Sequence, residues 1–275
     1  MNKIKLGFSS CPNDTFMFYG IAKGVFSPSF DLSITVKDIE ELNKLAFKNL
    51  LDITKMSFFA YFKVADRFKI LNSGAALGRG CGPLIIARED IEKSNLKSKI
   101  IAIPGRNTTA NLLFSIFFPE CQQKKEVLFS DIEKEILNGN VDAGVIIHET
   151  RFTYQEKGLI KIADLGEMWE NETGYPIPLG LIATKREIEK QGREFDVLLK
   201  NSILYSYKNR DKTMPFIKKY SQEIREDVIN SHIELYVNDF SVQLGEEGKS
   251  AIKELYKKAY RVGLVKHFYR DIFLE

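Results

Sequence analysis

Short apolar segments with strand character alternate with helical segments through about the first 185 residues of the chain. Ile4–Phe8 is a continuous apolar run, and Leu32–Val36 alternates apolar and polar residues as a half-buried strand does. Further strand candidates are Asp52–Lys55, Leu84–Ala87, Ile100–Ile103, Val127–Phe129, Ala143–Ile147 and Leu181–Thr184. Helical patterns lie between several of them, which predicts an α/β fold with mostly parallel sheets. Residues from Glu187 to about Tyr260 show no clear strand and are predicted to be helical.

Two polar residues stand where helices should begin. Asp38 precedes a segment with apolar residues at helical spacing, and Ser57 precedes the aromatic segment Phe58 to Ala65. Side chains of these types commonly accept hydrogen bonds from the free N–H groups of a first helical turn. We therefore predict that Asp38 and Ser57 both cap helices.

Glycine and proline are concentrated in residues 78–83 and 174–180, and both residue types favour turns. If the chain crosses between two lobes at these clusters, residues 88–180 form an inserted smaller lobe. Residues 1–87 and 181–275 would then form the larger lobe together. Two ordinary surface turns are the alternative, and periodicity does not decide between the two interpretations.

Charge and cysteine content exclude several classes of protein. The 275 residues include 40 basic and 37 acidic ones, and this net charge of +3 is too balanced to indicate nucleic-acid binding. Cys11, Cys81 and Cys121 show no metal-binding spacing, and an odd number argues against a disulfide framework. No segment has the roughly 7–15 apolar residues of an export signal or the roughly 18–20 of a membrane span. We expect a reduced cytoplasm and no membrane partner, while the oligomeric state is left open.

The loop after the first strand, Ser10–Phe16, carries the most informative short motif. Asn13 and Asp14 precede a helix that is predicted over residues 15–23. Main-chain N–H groups gather at such a helix start, which suits an anionic or carbonyl-bearing small molecule. A plain cap and turn is the alternative. Cys11 is the best candidate for a nucleophile, since a helix N-terminus would lower the pKa of its thiol.

A second candidate site follows the strand Ile100–Ile103. Residues 104–110 form a glycine-containing turn into an apolar helix, with Thr108 and Thr109 beside the free N–H groups of its first turn. This arrangement suits a carboxylate or a phosphate. The segment lacks the Gly-Lys-Ser/Thr of a Walker loop, and no GxGxxG opens a helix after a strand, so no dinucleotide is expected. A threonine-capped helix without a ligand is the alternative.

His148 stands at the end of the predicted strand Ala143–Ile147. The carboxyl ends of strands face the ligand crevice in open α/β sheets, and a histidine there can accept a proton near neutral pH. A structural role is the alternative. We interpret His232 and His267, in the helical C-terminal part, as surface or packing residues. Three histidines so far apart in sequence form no metal-binding motif, so no catalytic metal is expected.

Five strings in order along the chain carry a resemblance to one protein family. They are SCPNDTF, ALGRGCGPL, PGRNTTA, GVIIHETRFTY and YVNDFSVQLGEEG. In these strings the chain resembles the 1,4-dihydroxy-6-naphthoate synthase family of the futalosine route to menaquinone. The resemblance implies a two-lobed periplasmic-binding-protein-like fold of type II, with a ligand cleft between the lobes. It also implies a cytoplasmic enzyme.

The same resemblance implies a reaction and a set of residues. The family's substrate is cyclic dehypoxanthine futalosine, a carboxylated small molecule, which is cleaved to 1,4-dihydroxy-6-naphthoate and a sugar-derived fragment. His148 matches the family's proposed general base, and no cofactor or metal is implied. By position, the candidates for substrate binding are Asn13, Asp14, Lys55, Ser57, Thr108 and Thr109.

Two other functions stay open. A non-catalytic solute-binding protein of the same fold would need export, for which we find no signal in the sequence. The other alternative is a chorismate dehydratase, which acts earlier in the same pathway. The strings SCPNDTF and IIHE favour the synthase over the dehydratase.

Overall fold

Eleven strands and twelve α-helices, each numbered in chain order, make up the computed structural model, which describes residues 3–221 and 224–275. The strands β1 to β11 are Ile4–Ser9, Leu32–Lys37, Ile53–Ser57, Phe68–Ile70, Ala76–Gly78, Leu84–Ala87, Ile101–Ile103, Lys124–Glu126, Ala143–Ile146, Ile160–Asp164 and Ile177–Lys185. The helices α1 to α12 are Pro12–Ala22, Ile39–Phe47, Phe58–Phe62, Thr109–Phe117, Ile132–Leu137, Thr150–Thr153, Leu165–Thr173, Glu189–Lys208, Arg210–Tyr220, Glu226–Tyr236, Asp239–Val242 and Gly245–Arg261.

The strands form two separate sheets. A six-stranded sheet has the order β2-β1-β3-β11-β4, with β5 paired to β11, and a five-stranded sheet has the order β10-β6-β9-β7-β8. The predicted α/β class is confirmed, but the expectation of mostly parallel sheets is wrong. Strand β11 runs antiparallel to β3, β4 and β5, and β6 runs antiparallel to β9 and β10. Both sheets are therefore mixed.

The chain passes between the sheets at the two glycine- and proline-rich segments. It leaves the six-stranded sheet after Gly78 and enters the five-stranded sheet at Leu84, and it returns after α7. The domain bounds stay a prediction, but sheet membership differs from them at both edges. Strand β6 was assigned to the larger lobe and pairs in the five-stranded sheet, whereas residues 177–180 already pair in the six-stranded sheet.

One predicted helix cap is confirmed, and one predicted helix begins earlier in the chain than expected. Asp38 caps α2, because its carboxylate accepts hydrogen bonds from the main-chain N–H groups of Glu40 and Glu41. Helix α1 begins at Pro12 rather than at Thr15, since proline suits the first helical position.

The predicted strand Val127–Phe129 is wrong. The strand in this region is the preceding Lys124–Glu126, which forms the edge of its sheet beside β7. Phe129 instead begins a short 3-10 turn and is buried. Leu128 beside it is 46% exposed, so this apolar run indicates neither a strand nor a wholly buried segment.

The long C-terminal helical part holds the first site motif in place. The Ser202 hydroxyl on α8 donates to the carbonyl of Met17 at 2.6 Å, and the Ser206 hydroxyl donates to that of Phe16 at 2.8 Å. Helix α10 packs against the same helix α1. None of the helices in the described ranges is both long and apolar enough to cross a membrane.

Candidate functional site

A cavity lies between the two sheets and is lined from both. It encloses about 630 Å³ of empty space, including its opening to solvent. Strand ends β1, β3 and β9 and the start of α4 meet there, as expected for ligand sites in α/β folds. Among its lining residues are six of the seven predicted site residues: Asn13, Lys55, Ser57, Thr108, Thr109 and His148.

The seventh predicted residue, Asp14, lies behind the cavity wall and is fully buried. Its carboxylate accepts a hydrogen bond from Lys55 Nζ at 2.7 Å. It also accepts from the main-chain N–H of Ser9 at 3.0 Å and from the Ser9 hydroxyl at 2.7 Å. Asp14 therefore holds the Lys55 ammonium and the end of β1 in place, and it forms no part of the cavity lining.

Asn13 offers an acceptor to the cavity. Its side chain is 5% exposed, and its Nδ2 donates to Asp14 Oδ1 at 3.1 Å. Its Oδ1 is buried and has no hydrogen-bond partner within the described part of the chain. Because an unpaired buried acceptor is costly, a ligand hydroxyl or N–H that reaches this oxygen would be bound favourably.

The two threonines lie at the start of α4, as predicted, and their hydroxyls are hydrogen-bonded within the chain. Thr108 caps α4 by accepting from Asn111 N, and its hydroxyl donates to the carbonyl of Gly105. The Thr109 hydroxyl donates to the carbonyl of Leu179 at 2.6 Å and accepts from Phe58 N. Both hydroxyl protons are thus committed to the main chain. The donors left for an anion are the main-chain N–H groups of the first turn of α4, which a helix cannot satisfy internally.

Ser57 does not cap helix α3 through its side chain, so that prediction is wrong. Its hydroxyl instead accepts from Asn43 Nδ2 at 3.2 Å, and its main-chain N–H donates to Asn43 Oδ1 at 3.0 Å. Asn43 is fully buried and fixes the end of β3 in this way. The Ser57 hydroxyl keeps its proton available for a ligand at the cavity wall.

His148 follows strand β9 with a left-handed main-chain conformation, at φ 62°. Such a conformation costs free energy for a residue with a side chain, and it is frequent at functional sites. Burial lowers the pKa of its imidazole to about 4, with the nearby Asp14 carboxylate opposing that shift and Lys55 adding to it. The ring is therefore neutral at pH 7 and can accept a proton.

Cys11 lies next to His148, with its Sγ 3.4 Å from Nδ1 of the ring. The expectation that the helix N-terminus would lower the pKa of this thiol is wrong. Burial raises the pKa well above its usual value, and the carboxylates of Glu149 and Asp14 raise it further. A neutral thiol is a poor nucleophile, which argues against an attack by Cys11 on a substrate.

His232 was interpreted as a surface or packing residue, and its place in the structure requires a correction. It is 1% exposed and lines the cavity from α10, with its ring centroid 6.2 Å from that of His148. Neither of its ring nitrogens has a hydrogen-bond partner within residues 3–221 and 224–275. Burial, and then His148, lowers the pKa of His232 well below its usual value. His267 is exposed, as expected.

A sequence signal for His232 existed in the helix pattern. Ile229, Ile233 and Tyr236 form the buried face of α10, and His232 lies on this same face. A histidine among apolar residues at helical spacing is either packed or functional, and only the location of the cavity distinguishes the two. Cys81 and Tyr236, which also line the cavity, were likewise given no role by the sequence motifs.

Two histidines do cluster in space although they are far apart in sequence. Ligand atoms of His148, Glu149 and His232 all lie within 4.8 Å of one another, and these residue types can hold a divalent metal ion. The sequence argument against a histidine cluster is therefore wrong. The expectation that no metal takes part in the reaction stays a prediction.

Two comparisons of sequence agree over most of the chain. Residues 4–261 match the model of a family described as menaquinone biosynthesis. The chain is 39% identical over 275 residues to a 1,4-dihydroxy-6-naphthoate synthase of Thermus thermophilus, with all of both chains covered. It is 38% identical over 269 residues to the enzyme of the same name in Streptomyces coelicolor, with 95% of this chain and 94% of the relative covered.

Solved structures share the fold. A crystal structure of a protein from Archaeoglobus fulgidus is similar with a TM-score of 0.90 and 35% identity, covering 96% of this chain and 98% of that one. The periplasmic aliphatic sulphonate-binding protein SsuA of Escherichia coli is similar with a TM-score of 0.66 over all of this chain and 94% of its own, at 11% identity. The likeness to SsuA concerns the fold alone, and it confirms the predicted periplasmic-binding-protein-like architecture.

Proposed function

The chain belongs to the menaquinone-biosynthesis family of 1,4-dihydroxy-6-naphthoate synthases, and from that premise we propose that it cleaves cyclic dehypoxanthine futalosine. The products are 1,4-dihydroxy-6-naphthoate and the sugar-derived fragment, and the reaction takes place in the cytoplasm. The observation that carries the proposal is a neutral, partly buried His148 in a cavity that also offers donors for an anion. A carbon–carbon lyase without a cofactor needs a base and such donors.

The substrate carboxylate is bound at the start of α4 in this proposal. The main-chain N–H groups of Thr109 and Ala110 begin that helix, and the positive end of the helix dipole favours an anion. Ser57 and Lys55 line the same cavity and add a hydroxyl donor and a positive charge. Because Asp14 pairs with Lys55, the charge that the ligand meets is partly compensated, and its position is fixed.

His148 takes the proton from carbon in the chemical step. The electron pair of that C–H bond moves toward a neighbouring carbonyl and then forms the new C=C bond of the ring as the bond to the sugar-derived fragment breaks. The fragment leaves with the electron pair of the broken bond and takes up the proton that His148 holds. Aromatisation of the naphthoate ring makes the overall change favourable. The protein contributes orientation, one base and an environment from which most water is excluded.

Turnover of the purified protein tests this function. Cyclic dehypoxanthine futalosine is added and the absorbance of 1,4-dihydroxy-6-naphthoate is recorded, with chorismate as the substrate in a parallel reaction. His148→Asn keeps a similar size but cannot accept the proton, so kcat should fall by about 10²–10⁴-fold while ligand affinity changes far less. His267→Asn, at an exposed position, is the control. Formation of dehydrated chorismate, or binding of the substrate without turnover, would favour one of the two alternative functions.

A further inference from the structure

His232 is the one cavity-lining histidine that the proposed reaction leaves without a task, as far as the described residues show. It reaches the cavity from α10, which packs on the larger-lobe helix α1, whereas His148 follows β9 of the five-stranded sheet. The two rings therefore approach the ligand space from opposite lobes. We propose that His232 is a second catalytic residue, whose ring donates a hydrogen bond to the substrate oxygen that becomes negatively charged. This inference rests on the proposed function.

The spacing of the two rings suits the two reacting groups of the substrate, a C–H bond and the carbonyl next to it. Their centroids are 6.2 Å apart, and a nitrogen of each lies within 4.8 Å of the other. A substrate C–H at the His148 nitrogen, with the adjacent carbonyl oxygen at an ordinary hydrogen-bond distance of about 2.9 Å from the His232 nitrogen, fits such a separation. A substrate in this position is contacted by His148 and His232 together.

The surroundings of His232 orient the ring but satisfy none of its polar atoms. The rings of Tyr236 and Phe152 lie at centroid distances of 4.6 Å and 6.4 Å. Both imidazole nitrogens are buried without a partner in the described residues. A buried donor without a partner costs free energy in the unliganded protein, and a ligand oxygen would relieve that cost. Such an arrangement is typical of a group that is prepared for a ligand.

The protonation state suits a donor. Burial and the neighbouring His148 lower the pKa of His232, so its ring is neutral and carries one N–H at pH 7. In the chemical step the C–H bond of the substrate breaks and its proton moves to His148. The electron pair moves into the adjacent carbonyl, whose oxygen becomes negative and accepts the hydrogen bond from His232. His232 keeps its proton throughout, so the step needs no further reactant.

Two substitutions at His232 distinguish a hydrogen-bond donor to the substrate from a residue that only packs. His232→Leu removes the N–H at similar size, and His232→Asn restores a donor. Loss of one such donor typically costs about 10²–10³-fold in kcat, which we expect for His232→Leu with a smaller change in KM. His232→Asn should recover part of that loss. Because neither native nitrogen has a hydrogen-bond partner among the described residues, the thermal midpoint of His232→Leu should stay unchanged or rise, whereas a structural histidine would lower it.

The outcomes distinguish this inference from its premise and from a metal site. Absence of naphthoate from the wild-type protein would refute the proposed function and this inference with it. Wild-type turnover together with an undiminished kcat in His232→Leu would refute the role of His232 alone. Loss of wild-type turnover in EDTA that Zn²⁺ or Mg²⁺ restores would also overturn it, because the two histidines and Glu149 would then hold a metal ion. Equal kcat for His232→Leu and His232→Asn, both folded, would show that no donor acts there.

Discussion

The pH dependence of kcat/KM tests the state of His148 most directly. General-base catalysis requires the neutral ring, and kcat/KM reports the pKa of the free enzyme. Burial lowers that pKa to about 4, so roughly 90% of the rings are neutral at pH 5. With the ordinary histidine pKa near 6.5, only about 3% would be neutral at that pH.

The lowered and the ordinary pKa of His148 predict values of kcat/KM at pH 5 that differ by an easily measured factor. We expect kcat/KM at pH 5 to keep about nine tenths of its value at pH 7, since the ring is still neutral. An unperturbed histidine would lose about 25-fold over the same interval. The assay is the initial rate of naphthoate formation at low substrate concentration, from pH 5 to pH 8, with circular dichroism at each pH to show that the protein is folded. His267→Asn serves as the control, because its exposed histidine should not affect the profile.

A loss of more than tenfold between pH 7 and pH 5, in folded protein, would refute the reasoning. It would mean that the ring is not desolvated in solution, or that another group with a pKa near neutrality limits the reaction. A profile that stays the same in His148→Asn would point instead to a different base. Since Cys11 is held neutral by burial, Lys55 and Asp14 would then need examination.

Three other changes test the architecture of the site. Lys55→Met leaves the buried Asp14 carboxylate without its counter-charge, so the free energy of unfolding in urea should fall by about 3–5 kcal/mol. Lys97→Met, at an exposed lysine, is the control, and equal midpoints for the two variants would contradict the argument. Gly82→Ala places a Cβ 2.3 Å from the main chain of Gly166, so the thermal midpoint of the variant should fall below that of the wild type. An unchanged midpoint would show that the main chain at Gly82 moves away from Gly166 easily. If the two lobes close over the ligand, small-angle scattering should give a smaller radius of gyration with saturating 1,4-dihydroxy-6-naphthoate than without it. Identical scattering profiles would argue against closure.

Local sequence patterns determined much of the secondary structure and part of the site. Asp38 caps its helix as predicted, because a cap depends only on residues within one helical turn. Strand β6, Leu84–Ala87, has the predicted bounds, since a buried apolar run between turn residues is a short-range signal. The location of His148 at a strand end also follows from the sequence, and so does its position at the cavity.

Tertiary structure alone decided what these residues contact. Cys11 and His148 are 137 residues apart in sequence and 3.4 Å apart in space, and burial there raises the thiol pKa instead of lowering it. Asp14 turns away from the cavity to hold Lys55, and the Thr109 hydroxyl is used by the main chain. No pattern of neighbouring residues carries this information, because desolvation and pairing depend on which distant segments pack together.

His232 shows most clearly what the sequence determines and what only the tertiary structure decides. Its place on the buried face of α10 could be inferred from the spacing of Ile229, Ile233 and Tyr236. That this face meets His148 across the cavity depends on how α10 packs against α1 and on how the two sheets face each other. The sequence by itself determined the helix and its apolar side, and the packing of the two lobes made that histidine part of a site.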